Sequence, residues 1–178
     1  MADLTFRKAL AAEADQIAGL INLCYRGEAS RQGWTTEADL LDGLRTSAEE
    51  VRQLILAKDS ILLLCLQNDT LLGSIHIEKM QQVAHLGMFV VQPTLQGQGI
   101  GKQLLAQAEQ LAAQAWAING LVIQVISVRS ELIAFYERRG YVPSTTLREF
   151  PLNAGLWTPK VAGLQLRLLQ KKLTLHKA

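Results

Sequence analysis

The chain has 178 residues, enough for one domain that buries roughly 70% of the surface its unfolded form exposes. Apolar residues make up 49% and charged residues 19%, a globular balance that excludes a disordered chain. A net charge of +2 excludes nucleic acid as a partner held by bulk charge. Residues 4–8 read as a first strand. Ile17, Leu20, Ile21 and Cys24 then recur at helical spacing and predict an amphipathic helix over about 13–26. Residues 27–33 are polar and turn-like. Thr36 with Asp39 opens a second helical piece, and Ser47 with Glu50 repeats the capping signal ahead of a Val51, Leu54, Ile55 stripe.

From Ser60 the pattern changes. Residues 61–66 form a continuous apolar run, as expected of a strand covered on both faces. Asn68-Asp69 signals a turn, residues 71–80 alternate as a strand, Gln81-Gln82 turns again, and residues 84–91 form another strand. Three strands with short connections predict an antiparallel meander. Residues 99–116 form the clearest helix, with Leu104, Leu105, Ala108, Leu111, Ala112 and Ala115 on one face. A strand at 121–126, a helix at 130–139 stopped by Gly140, and a last strand carrying Leu164, Leu166 and Leu168 follow. Residues 171–178 read as a frayed basic tail. The order β-α-α-β-β-β-α-β-α-β-β predicts a mixed-sheet α/β domain.

Cys24 and Cys65 sit among apolar residues without metal-ligand spacing, which predicts buried thiols, no metal and a reducing, cytoplasmic compartment. The longest apolar run is far short of the roughly 20 residues of a membrane span, and no signal peptide or membrane partner is expected.

Chemistry concentrates where the 84–91 strand ends. Pro93 is followed by Gln96-Gly97-Gln98-Gly99-Ile100-Gly101-Lys102 and then at once by a helix. Alternating glycines permit positive φ and close backbone approach to a ligand. A helix start adds unpaired N–H groups and partial positive charge, which suit a phosphate or pyrophosphate. A Walker loop is excluded because Gln103 follows Gly101-Lys102 and position 96 is Gln; a Rossmann fingerprint is excluded because position 102 is Lys.

What remains is Gln96-x-x-Gly99-x-Gly101 after an apolar strand, which resembles the coenzyme A motif of the GNAT N-acetyltransferase superfamily. The stretch from Arg129 to Tyr141, with its Phe135-Tyr136 and Gly140-Tyr141 pairs, resembles that family's late helix and following strand. The resemblance implies a single α/β domain over 1–178: a GNAT-like mixed, mostly antiparallel central sheet flanked by helices. It also implies a splay between the fourth and fifth strands, 84–91 and 121–126. Acetyl-CoA is the implied cosubstrate. Pantetheine enters the gap beside Phe89, Val90 and Val91, and pyrophosphate lies on Gln96, Gly97, Gln98, Gly99, Ile100, Gly101 and Lys102.

The resemblance further implies direct attack on the thioester by a small-molecule or peptide amine and, from the family's habit, a homodimer. Tyr136 matches the tyrosine that protonates the departing thiolate. His85 falls where some members carry a glutamate base; strand alternation places it with Gly87, Phe89 and Val91, and Glu78 on the neighbouring strand is the fallback. Arg129 stands where many members contact CoA through Asn. The connector carrying Glu28, Arg31 and Trp34 corresponds to part of the acceptor pocket, with Trp157 as a second wall. Two other readings stay open: a non-catalytic acyl-CoA sensor, and an interaction protein that kept the fold without the ligand.

Overall fold

The computed structural model describes residues 3–153 and 155–174. Its main sheet contains β1 (Thr5–Lys8), β3 (Ser60–Gln67), β4 (Thr70–Met80), β5 (Val83–Val91), β6 (Gly120–Ile126), β7 (Val142–Glu149) and β9 (Gln165–Lys172). Their spatial order is β1-β3-β4-β5-β6-β9-β7, and every neighbouring pair is antiparallel except β5–β6. The mixed, mostly antiparallel α/β architecture expected from the sequence is present.

The meander forms because its turns use residues that tolerate positive φ. Asn68 and Asp69 adopt φ of 47° and 62°, and Gln81 adopts 58°. Two cores lie on opposite faces of the sheet. Helix α4 (Ile100–Ala115) lays Ile100, Leu104, Leu105, Ala108 and Ala112 on one, against Ile61, Leu63, Ile75, Ile77, Leu86 and Ile123. Helix α1 (Ala14–Tyr25) lays Ile17, Ala18, Ile21 and Cys24 on the other, against Leu62, Leu64, Met88 and Val90. Continuous apolar runs such as that in β3 are explained by this double cover. Helix α3 (Ala48–Leu56) starts as the sequence predicts, with the Glu50 amide donating to Ser47 Oγ at 3.1 Å.

Three features depart from expectation. Thr36 does not cap a helix. Its hydroxyl accepts from the Ala38 amide, and the chain turns into a short strand, β2 (Leu41–Gly43), paired with β8 (Trp157–Pro159). Gly43 at φ 93° leaves no room for a side chain: a Cβ there would come 2.2 Å from the Leu156 carbonyl oxygen. Long-range pairing overrides the local capping signal. The polar connector also contains a single helical turn, α2 (Gly27–Ser30).

The basic tail is not frayed at its start. Lys171 and Lys172 belong to β9, opposite Leu121 and Gly120, and Lys171 Nζ donates to Glu109 Oε2 at 2.7 Å. The other tail residues singled out, His176 and Lys177, lie outside the described residues. No helix among the described residues is long and apolar enough to cross a membrane.

Candidate functional site

Parallel pairing of β5 with β6 runs from Val83↔Gly120 to Leu86↔Ile123 and stops there. Beyond it the two strands diverge, which is the splay expected between them. The cause lies in β5. Between the pairs His76↔Gly87 and Ser74↔Val90, β4 contributes Ile75 alone while β5 contributes Met88 and Phe89. This is a β-bulge, and Met88 carries the left-handed φ of 42° that it demands. A bulge bends the strand and shifts its side-chain alternation by one residue.

That shift corrects one expectation. His85 does not share a face with Phe89 and Val91. Ala84, Leu86 and Val91 join the α4-side core, and Phe89 packs against it; Met88 and Val90 join the α1-side core. His85 and Gly87 precede the bulge and therefore fall with Met88 and Val90, on the α1 side.

A cavity of about 640 Å³ opens along the divergence. The glycine turn closes one end. Gly97 and Gly99 both adopt positive φ, 81° and 82°, and Gly99 is the residue from which α4 starts. The first amide to close onto the helix is that of Gln103, donating to the Gly99 carbonyl at 3.2 Å. The amides of Ile100, Gly101 and Lys102 thus have no intrahelical acceptor. Gly97, Gly99, Gly101 and Lys102 line the cavity. The side chain of Ile100 instead anchors α4 in the core, and Gln98 lies outside the lining. Gln96 braces the site: its Nε2 donates to the Val91 carbonyl at 3.1 Å, and its Oε1 accepts from the Trp34 amide at 3.0 Å.

An aromatic layer forms the middle. Phe135 and Tyr136 come from α5 (Ser130–Glu137), and their rings meet edge-on at 5.3 Å. Phe89 lies 6.3 Å from Phe135 and 6.5 Å from Tyr136, and Trp34 lies 5.7 Å from Phe135. Tyr136 is buried, and its hydroxyl has no hydrogen-bond partner among the described residues. Desolvation raises its pKa well above the usual phenol value, so it stays protonated at neutral pH. Burial likewise pushes the Cys24 thiol, in the same cavity wall, up to about 12. Two histidines line the α1 side. His85 is half-buried, opposite Glu78 on β4; His76 is buried and bonded through Nε2 to Ser60 Oγ at 2.8 Å. Desolvation lowers both pKa values, and each imidazole is predominantly neutral at pH 7. Glu78 itself is exposed and outside the cavity lining.

Of the residues expected on the acceptor side, two line the cavity and two do not. Trp34 lines the cavity, and so does Trp157. Glu28 and Arg31 do not: α2 turns them outward, where they pair at 3.0 Å and Arg31 also binds Asp39 at 2.7 Å. Arg129 is buried, and its terminal nitrogens are already engaged. Nη1 donates to Glu37 Oε1 at 2.8 Å and Nη2 to Thr35 Oγ1 at 2.7 Å. Glu37 also pairs with Arg26. Sequence reasoning misses Arg26, Glu37, Arg45 and His76, which the fold brings to the same cavity. Arg26 reads as the end of the first helix, Glu37 and Arg45 as polar residues of the helical piece opened at Thr36, and His76 as one more alternating strand residue.

A family profile described as "Acetyltransferase (GNAT) domain" matches residues 37–151. The fold is similar to that of a GNAT-family acetyltransferase from Streptococcus pneumoniae, at 18% identity and TM-score 0.68, covering 97% of this chain and 100% of the other. It is also similar to the PaiA N-acetyltransferase of Thermoplasma acidophilum in complex with coenzyme A, at 18% identity and TM-score 0.69, covering 96% and 99%. A protein from Salmonella typhimurium solved with its cofactor acetyl-CoA matches at 17% identity and TM-score 0.68, covering 98% and 96%. No curated protein matches the sequence. With the profile spanning well over half of its length, the chain belongs to the GNAT acetyltransferase family.

Proposed function

We propose that the protein transfers acetyl from acetyl-CoA to a primary amine of a small molecule or peptide by direct attack, without an acyl-enzyme. One observation carries this reading: a single cavity joins the β5–β6 gap, the free amides of the glycine turn and a protonated Tyr136. The residues present fit coenzyme A. The amides of residues 97–102 and the Lys102 ammonium suit its pyrophosphate, and the unpaired edge of β5 suits an added extended chain.

When bound, acetyl-CoA supplies the carbonyl that is attacked and the thiol that leaves. Tyr136 holds a proton at a dry position and donates it to sulfur. The same dryness that keeps the phenol protonated raises the proton affinity of a thiolate formed beside it, which favours the transfer. His85, neutral at pH 7, accepts the amine proton directly or through water. Trp34, Phe89 and Phe135 wall the reacting atoms from bulk solvent.

A thiol-release assay over a panel of amines tests the proposal. Wild type is expected to release CoA with at least one amine. Tyr136→Phe is expected to lower kcat on the order of a hundredfold while acetyl-CoA affinity stays within about twofold. An unchanged kcat where chemistry limits turnover removes Tyr136 from the reaction. A second reading, a non-catalytic acyl-CoA sensor, is favoured by the engagement of Glu37, the one carboxylate lining the cavity among the described residues, with two arginines. It predicts acetyl-CoA binding with no thiol release for any amine.

A further inference from the structure

The α1 side of the cavity carries more buried positive charge than it neutralises. Arg26 and Arg129 are only 6% and 8% exposed, and both rest on Glu37; among the described residues one further carboxylate approaches, the exposed Glu131 at 3.9 Å from Arg129 Nε. Their remaining donors are not satisfied: Arg26 Nε, Arg26 Nη2 and Arg129 Nε are buried without any hydrogen-bond partner. Leaving such donors unmade is costly, and a guanidinium cannot escape by losing its proton. Arg45 adds a third cation. Its guanidinium sits between the rings of Tyr25 and Trp157, at 5.4 and 5.9 Å from their centroids, and makes no ion pair among the described residues. All three arginines line the cavity.

We propose that the acceptor is an amino acid or amino-acid-like amine whose carboxylate pairs with Arg45 in the field of the buried Arg26 and Arg129, while its amine faces the thioester. The inference rests on the transferase reading above but concerns the acceptor alone. A carboxylate accepts from the unpaired Arg45 guanidinium, whose fork matches its planar geometry. It also brings negative charge to a cluster of three guanidiniums that Glu37 and the exposed Glu131 leave net positive. The aromatic rings of Tyr25, Phe150 and Trp157 line the same end and suit an apolar side chain on that acid. A polyamine meets the opposite field, because its extra ammonium groups face three guanidiniums.

The test uses the intact protein saturated with CoA. Calorimetric titration compares N-acetyl-L-leucine, N-acetyl-L-phenylalanine and N-acetyl-L-methionine with their primary amides, and with N-acetylspermidine. Thiol release with acetyl-CoA is measured in parallel for the corresponding free amines. At least one acid is expected to bind, and to react, about tenfold or more better than its amide, the size expected of a charge-assisted contact. Arg45→Gln is expected to shrink that acid-to-amide ratio to near unity, with Arg45→Lys restoring part of it; melting curves confirm that both variants fold. Equal binding of acid and amide, preference for the polyamine, or an unchanged ratio in Arg45→Gln overturns the proposal. Failure of thiol release with every amine alongside selective binding of an acid removes the transferase reading and leaves the carboxylate site standing.

Discussion

At Met88 the backbone takes φ of 42° in a non-glycine residue, a conformation that costs about 1–2 kcal/mol and marks a strained position. The extra residue directs Phe89 to the α4 side, beside Tyr136, and leaves His85 on the α1 side, opposite Glu78. In the proposed reaction, proton acceptance and proton donation therefore approach the thioester from opposite faces of the sheet. Both histidines that line the cavity have pKa values lowered by desolvation. A lowered folded pKa means that the unfolded chain binds more protons, so the stability these groups contribute is present above about pH 6.5 and is lost as the pH falls through their folded values. Melting temperature measured from pH 8 down to 5 should hold level and then decline below about 6.5. A double variant, His76→Gln with His85→Gln, should flatten that decline; an equally steep decline in the variant assigns it to other groups.

Among the elements, α4 connects the core to the site. Its N-terminal turn faces the cavity, and its apolar stripe fixes where that turn stands. Leu104 is fully buried against the sheet, so Leu104→Ala should cost about 2–5 kcal/mol through lost transfer energy and the cavity left behind. Urea unfolding measures it; a loss below about 1 kcal/mol contradicts the packing described. The α4 stripe is legible in the sequence because its period is local, and six of the seven main strands are legible because their runs and turn residues agree; β7 enters only through the family resemblance around Gly140-Tyr141. The β2–β8 pair is not, since Leu41 finds its partner in Pro159, far along the chain, and a capping-like Thr36 points to the wrong structure.

The site divides in the same way. The glycine turn, Phe135 and Tyr136 are contiguous motifs and can be read directly. Arg26, Glu37, Arg129 and the half-buried Arg45 come from separate segments that meet at the cavity only once α1, β2, α5 and β8 have packed together. No periodicity marks an arginine in these segments as lining a cavity. The bulge at Met88 is equally silent in sequence, which is why alternation misplaces His85.

Across the whole molecule, one parallel contact in an otherwise antiparallel sheet creates the opening. β5 and β6 pair for four residues and then part, and the cores on the two faces hold the strands apart beyond that point. The α4 face brings the glycine turn and the aromatic layer to the gap; the α1 face brings the histidines and the guanidiniums. In the proposed reaction this division brings the acetyl donor and the amine acceptor to the gap from opposite faces of the sheet. The most direct test is calorimetric titration of the protein with acetyl-CoA, using ATP as a control and Gly99→Glu as the comparison. At φ 82° a side chain at position 99 is strained, and a glutamate there places negative charge where the pyrophosphate is proposed to lie. The account predicts saturable binding of acetyl-CoA by the wild type, none of ATP, and at least a hundredfold weaker acetyl-CoA binding by folded Gly99→Glu. Absence of acetyl-CoA binding by folded wild type, or retained affinity in the variant, contradicts it.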